Sequence, residues 1–251
     1  MVVARAGCEC RALSHPRDAN GGVALITYAL ADHFRAPPMP GTAIAQVHCI
    51  AIEGADARRF AQTQFSGDVR SLAPGHWQWS AWLDVRGHVD ALVHLVAIDD
   101  DRLLMVLRGG DAERTHSRLD HYLLRSRATL VTKAFGGYAD DALEMGRVEA
   151  PGPDIVLGYG DRSLRLGPVV ASPASAASNE WRLADIRAGW PTLPQDEARL
   201  LPPALGLERL GAVSFDKGCY PGQEIAARLH YRGGHKLRLH HLRGLAPLPP
   251  C

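Results

Sequence analysis

Residues 213–228 read VSFDKGCYPGQEIAAR, and the reading of this stretch governs the rest of the chain. The apolar run Val213-Ser214-Phe215 leads into Lys217-Gly218-Cys219-Tyr220-Pro221-Gly222, where two glycines and a proline mark tight backbone geometry. Gln223-Glu224-Ile225-Ala226-Ala227-Arg228 then has helix-forming composition. Cys219 is therefore expected on a loop just ahead of a helix N-terminus. There the unpaired N–H groups and the macrodipole favour negative charge, and with Lys217 nearby they favour the thiolate. The plainer reading of Cys219 is a small buried apolar residue, a common setting for free cysteine.

Upstream, the dense and partly alternating apolar residues 44–52 predict a half-buried strand, broken by Gly54-Ala55-Asp56. Asp56 suits the N-cap of a helix over residues 57–65. Trp77, Trp79 and Trp82 alternate loosely before the turn Asp84-Val85-Arg86-Gly87. Residues 89–98 and 102–107 predict two strands joined at Asp99-Asp100-Asp101, a hairpin. The spacing of Leu119 and Leu123, with Tyr122 on the adjoining face, predicts a helix over 111–127 capped by Asp111, and residues 128–133 return as a strand. Strand, helix, strand, strand, helix, strand is the order of a split βαβ, or ferredoxin-like, unit. The fold class is therefore α+β, with a ferredoxin-like subdomain at 42–135.

Past Lys133, Gly136-Gly137, Pro151-Gly152-Pro153 and the Ala/Ser-rich residues 171–178 punctuate short strands near 155–159 and 164–170. A helix over 181–188 ends at Gly189 and Pro191. Residues 136–235 read as a second, shortened α+β subdomain carrying the cysteine loop. Residues 1–41, closing on Pro37-Pro38-Met39-Pro40-Gly41, read as a poorly ordered extension. Its apolar residues 23–30 follow Asp18 and a mixed polar lead, not the basic segment of a signal peptide.

With 251 residues, 46% hydrophobic and 22% charged, the composition is that of an ordinary globular protein with a sizeable core. A net charge of +1, from 28 basic and 27 acidic residues, excludes a surface built wholly for nucleic acid. A local patch remains open, because residues 226–244 contain no acid but hold Arg228, Arg232, Lys236, Arg238 and Arg243 with several histidines. The plain reading is a solvated face; the functional one is a site for phosphate or carboxylate. His240 and His241 are adjacent and fall on opposite faces of a strand, so no metal site is read there. The five cysteines, Cys8, Cys10, Cys49, Cys219 and Cys251, are odd in number and scattered, which fits a reducing cytoplasm better than a disulfide framework. Cys8-Glu-Cys10 is neither a redox CxxC nor half of a standard zinc site. No apolar run reaches membrane-spanning length.

KGCYPGQE followed by Ala-Arg resembles the KGCYxGQE signature of the YgfZ family of folate-binding proteins, relatives of the aminomethyltransferase (T-protein) of the glycine cleavage system. Two further stretches agree. One is Ile52-Glu53-Gly54-Ala55-Asp56-Ala57-Arg58-Arg59-Phe60, continuing through Gln64 to Gly67-Asp68-Val69; the other is Trp181-Arg182-Leu183-Ala184-Asp185-Ile186-Arg187-Ala188-Gly189-Trp190-Pro191. The resemblance runs from about residue 44 to 243, which points to Met39 as the start of translation. It implies ferredoxin-like subdomains of the T-protein type. Relatives continue into a C-terminal β-barrel, of which residues 236–251 are a remnant of about one strand, so a complete barrel is not expected. An unpaired edge on residues 236–242 favours a homodimer.

The resemblance implies a folate-binding accessory protein that supports iron–sulfur cluster assembly or repair, including in enzymes that modify tRNA. The partners it implies are tetrahydrofolate or a derivative, iron–sulfur enzymes or assembly proteins, and tRNA through residues 226–244. Cys219 would be a redox or cluster-contacting thiolate tuned by Lys217. Trp181 matches a tryptophan lining the folate pocket, and an indole offers a flat face to a pterin. Val47 stands where a relative has a second tryptophan. Tyr220, Gln223 and Glu224 belong to the implied ligand set, with Arg228 and Arg232 on the anionic tail. Arg187 replaces a glutamate that holds the pterin in the transferases, and an arginine accepts no hydrogen bond. Asp90 matches the transferases' acidic segment, but Ala91 replaces the neighbouring acid, so a one-carbon transferase is the secondary reading. A non-catalytic RNA- or protein-binding remnant is the third.

Overall fold

The computed structural model describes the backbone of residues 2–3, 23–29, 175 and 241–243, and residues 38–169, 176–194 and 199–240 in full. The apolar runs of the first half become strands because both their faces find cover. β3 (Ala43–Glu53), β4 (His76–Leu83), β5 (Val89–Ala97), β6 (Arg102–Leu107) and β7 (Thr129–Asp140) form most of one antiparallel sheet. α1 (Ala57–Gln64) and α2 (Ala112–Asp120) interrupt them. Strand alternation sends Ile50, Ile52, Val93, Leu95, Leu103 and Met105 to the core beneath these helices. Cys49, Ala51, Leu92, Val96, Leu104 and Val106 go to a second core on the other face. A strand buried on both sides reads as a continuous apolar run, not as an alternating one.

The order β7-β3-β6-β5 within the sheet is the ferredoxin-like arrangement that the element order predicts. β4 adds to its β5 edge, and the three tryptophans of that strand are buried. On the other side β10 (Ser163–Gly167), β9 (Ile155–Gly158) and β8 (Val148–Glu149) continue from β7, giving eight strands in the order β4-β5-β6-β3-β7-β10-β9-β8. β7 runs straight through residue 135. No closed barrel is present among the described residues.

Three expectations need correction. α3 spans Ser175–Arg187, beginning six residues before the expected helix, because alanine is the best helix former and an Ala/Ser stretch extends a helix as readily as it links two elements. α2 ends at Asp120, and a non-glycine residue with positive φ, Arg125 at 60°, lies in the turns that follow. α4 is Gln223–Arg232. β11 (Leu237–Arg243) is not an unpaired strand: it lies parallel to β2 (Val23–Ala29), which in turn pairs with β1 (Val2–Val3). The apolar, β-branched sequence VALITYA supplies the partner. The far edge of β11 has no strand neighbour among the described residues. Cys8, Cys10, Cys251 and residues 170–174 lie outside the described residues. No helix among the described residues is long and apolar enough to cross a membrane.

Candidate functional site

The cysteine loop is fastened to the turn after α1. Ser66 Oγ donates to Ala212 O at 2.6 Å, Ser214 N donates to Ser66 O at 2.8 Å, and Ala81 N donates to Ser66 Oγ at 3.0 Å. Lys217 is buried and its Nζ donates to Phe65 O and, at 2.8 Å, to Gly67 O. Its ammonium is thus spent on two carbonyls of that turn. Gly222, the N-cap of α4 at φ 73°, lies so close to the Asp84–Gly87 turn that a Cβ would meet Asp84 O at 2.5 Å. Both glycine's positive φ and its missing side chain are needed there. Between these two anchors Cys219 is an exposed free thiol, and α4 begins four residues later.

Burial lowers the Lys217 pKa from 10.5 to about 8. The unfolded chain keeps its proton up to 10.5, whereas the folded chain releases it above about 8, so in that window the unfolded state binds more protons and stability rises with pH. Urea unfolding across this window is expected to show a climb of up to about 1.4 kcal/mol per pH unit relative to Lys217→Met. Parallel curves for the two proteins would refute the assignment.

The largest chemical concentration lies on the other side of the sheet from α1 and α2. A cavity of about 560 Å³ is lined by Val47 and Trp181 together with Tyr159, Trp190, Arg108 and Asp185. Trp181 and Asp185 are one helical turn apart on α3, which sets both on the cavity face. Asp185 Oδ2 accepts from Arg108 Nη2 at 2.7 Å and its Oδ1 from Arg162 Nη2 at 2.8 Å. Arg162 also pairs with the exposed Asp161 at 2.9 Å. The Arg162 guanidinium lies 5.0 Å from the Trp181 ring centre and 5.2 Å from that of Trp190. Such contacts hold the rings and the cation in one arrangement. His94 Nδ1 and the Tyr159 hydroxyl are 2.9 Å apart in the same buried cluster. Burial, reinforced by Arg108 and Arg162, pushes the His94 pKa well below its ordinary value and keeps the imidazole neutral. Burial also holds Tyr159 protonated by raising its pKa.

The expected residues fall in three places. Val47 and Trp181 meet at the cavity. Tyr220 is buried in the loop, its hydroxyl donating to Ser214 O at 3.3 Å. Arg187 is exposed at the end of α3, and Gln223, Glu224, Arg228 and Arg232 stand on α4; none of these lines the cavity. Asp90 lies elsewhere again. Leu83 faces Val89 and Trp82 faces Ala91, so Asp90 is the extra residue of a bulge, and the kink re-aims its carboxylate to Arg118 at 2.7 Å. It lines a second cavity, of about 360 Å³. Arg108, Arg162, His94, Tyr159 and Trp190 were not singled out from sequence. Only Asp185, four residues after Trp181, carried a periodic signal. No group of three or more His, Cys, Asp or Glu able to hold a metal occurs among the described residues.

No family model matches the chain. An uncharacterized protein of Haemophilus influenzae is 29% identical over 197 residues, covering 77% of this chain and 69% of that protein. The tRNA-modifying protein YgfZ of Edwardsiella ictaluri is 28% identical over 232 residues, covering 80% and 70%. That of Hamiltonella defensa is 42% identical over a shorter match of 71 residues, 28% of this chain and 21% of that protein. Among solved structures, the glycine cleavage system aminomethyltransferase T of Bartonella henselae superposes with a TM-score of 0.57 at 16% identity, covering 74% of this chain. The chain spans 62% of that structure, less than two thirds. By sequence the chain is a relative of the proteins named YgfZ, and it is built on the fold of the glycine cleavage aminomethyltransferase.

Proposed function

We propose that this chain is a folate-binding accessory factor that supports iron–sulfur cluster assembly or repair, including in enzymes that modify tRNA. One observation carries the reading: Val47 and Trp181, the two positions that the YgfZ resemblance assigns to the ligand's ring, line the same cavity of about 560 Å³. That size suits a drug-sized ligand, and its wall combines aromatic faces with a few convergent polar groups, Arg108 and Asp185 among them. The name tRNA-modifying protein, borne by relatives that match four fifths of the chain, supports the client class. Exposure of Cys219 lets a partner or a cluster reach the thiol, and the cytoplasm is the compartment that keeps it reduced.

Calorimetric titration with tetrahydrofolate and its formyl derivative tests the reading. Dissociation constants on the order of micromolar are expected, weakened at least about tenfold in Trp181→Ala by the loss of a stacking face. No heat with either ligand would end the folate assignment.

The same reading gives the basic segment a partner. Arg228, Arg232, Lys236 and Arg238 are exposed and have no acidic partner among the described residues, so they offer a phosphate-binding face to tRNA. A transferase role gains no such support, since Asp90 is paired with Arg118 and lines a different cavity from Trp181.

A further inference from the structure

Tyr231, in the last turn of α4, is 72% exposed, the most open aromatic ring among the described residues. A lone exposed ring is ordinary, but this one is braced. It meets His230 edge to face, with 4.7 Å between ring centres, and His230 in turn lies nearly parallel to Phe215 at 4.1 Å and 22°. Phe215 packs against the core at the entrance to the cysteine loop, and His230 Nδ1 is 3.0 Å from Glu208 Oε2. The three rings therefore form one unit rooted in the fold. Holding Tyr231 in place beforehand removes ordering cost that a mobile side chain would bring to a contact.

The surroundings of the ring are open and basic. The chain leaves α4 through Gly233 and Gly234, and at both an added Cβ would meet nothing within 4 Å, so a flat ligand can come close to the backbone there. Arg228 stands one turn before Tyr231 on the same helix face, and Arg232 follows it; both are exposed and form no ion pair among the described residues. Glu224 lies a further turn back, at the start of the helix. The carbonyl end of a helix disfavours phosphate, so anion binding here falls to the guanidinium groups and not to the backbone. A flat ring with cations beside it matches single-stranded nucleic acid, whose bases stack on aromatic side chains while lysine and arginine track its phosphates. A duplex offers phosphates but keeps its base faces stacked on one another.

We propose that the end of α4 receives an unpaired RNA base stacked on Tyr231, with the flanking phosphates held by Arg228 and Arg232. The proposal rests on the tRNA reading of the basic segment and names what that reading leaves open, a single-stranded loop or end in place of a paired stem. Stacking tolerates any base, so the face recognises strandedness and not sequence. Between Gln223 and Tyr231 the helix rises about 12 Å. A base seated there leaves the exposed Cys219, ahead of the other end of α4, free for a protein client.

The test is fluorescence anisotropy on the full chain, with an end-labelled oligouridylate of about twelve nucleotides and a blunt RNA duplex of the same length. Tyr231→Ala is expected to weaken the oligouridylate about fivefold to a hundredfold and to leave the duplex within about twofold. Tyr231→Phe keeps the ring and is expected to stay within about twofold of the wild type on both. Arg228→Gln/Arg232→Gln is expected to weaken both RNAs and to flatten the log–log salt dependence of oligouridylate binding by about one. All three side chains are exposed, and coincident urea unfolding curves verify that the variants fold. Oligouridylate binding that survives Tyr231→Ala, an equal loss for the duplex, or binding of the duplex alone would overturn the stacking and leave the basic face standing. No binding of either RNA to the wild type at about 50 mM salt would overturn both and leave the folate reading untouched.

Discussion

Asp185→Ala is expected to lower the unfolding free energy by about 3–5 kcal/mol, a large share of the roughly 5–15 kcal/mol typical of a folded domain. The aspartate is the common partner of Arg108 and Arg162, whose side chains are 10% and 4% exposed. Without it Arg108 loses its ion-pair partner, and Arg162 retains only Asp161, which is 72% exposed. A buried cation without its counterion bears its full desolvation penalty. Asp185→Asn keeps the shape and one accepting oxygen, so its loss is expected to be smaller. Urea midpoints for the three proteins, at unchanged slope, read the difference. A loss below about 1 kcal/mol for the alanine variant would mean that water in the cavity already solvates both guanidiniums.

The second large effect is functional and leaves the fold alone. Cys219→Ala is expected to abolish rescue of a strain lacking its own family member, scored by an iron–sulfur-dependent tRNA modification. The same substitution is expected to change stability by no more than about 0.5 kcal/mol, because the side chain is exposed and the fastening of the loop runs through Ser66, Lys217 and Gly222. Loss of rescue with an unaltered unfolding curve separates chemistry from folding. Full rescue would remove the thiol from the mechanism.

What could be read in advance was whatever is local. Alternation and turn chemistry placed β5, β6 and the hairpin between them, and the ferredoxin-like order followed from the succession of elements. The loop and helix around Cys219 were legible because glycine, proline and a helix-forming run lie side by side in the chain. The reach of Lys217 was not: a lysine two residues from a cysteine suggests a neighbour for the thiol, whereas its Nζ is held by carbonyls at residues 65 and 67. The Arg108–Asp185–Arg162 cluster was invisible for the same reason. Its members come from the end of β6, from α3 and from the turn before β10, and only packing brings them within 3 Å. Asp90 was identified as an acid, but the bulge that decides where it points is a property of two paired strands, not of either one.

The register that sets Val23 opposite Leu237 also imposes a timetable on the chain as it is made. β2 leaves the ribosome early, while its parallel partner emerges only after the whole eight-stranded sheet. At about 5–20 residues per second, that interval is roughly 10–40 s. Throughout it an apolar, β-branched strand has, among the described residues, only the two of β1 to pair with, which exposes a template for other nascent chains. Closing β2 onto β11 is a contact of very long sequence separation, and such contacts form slowly. Assembly of this small sheet is therefore the step at which the growing chain most needs shielding.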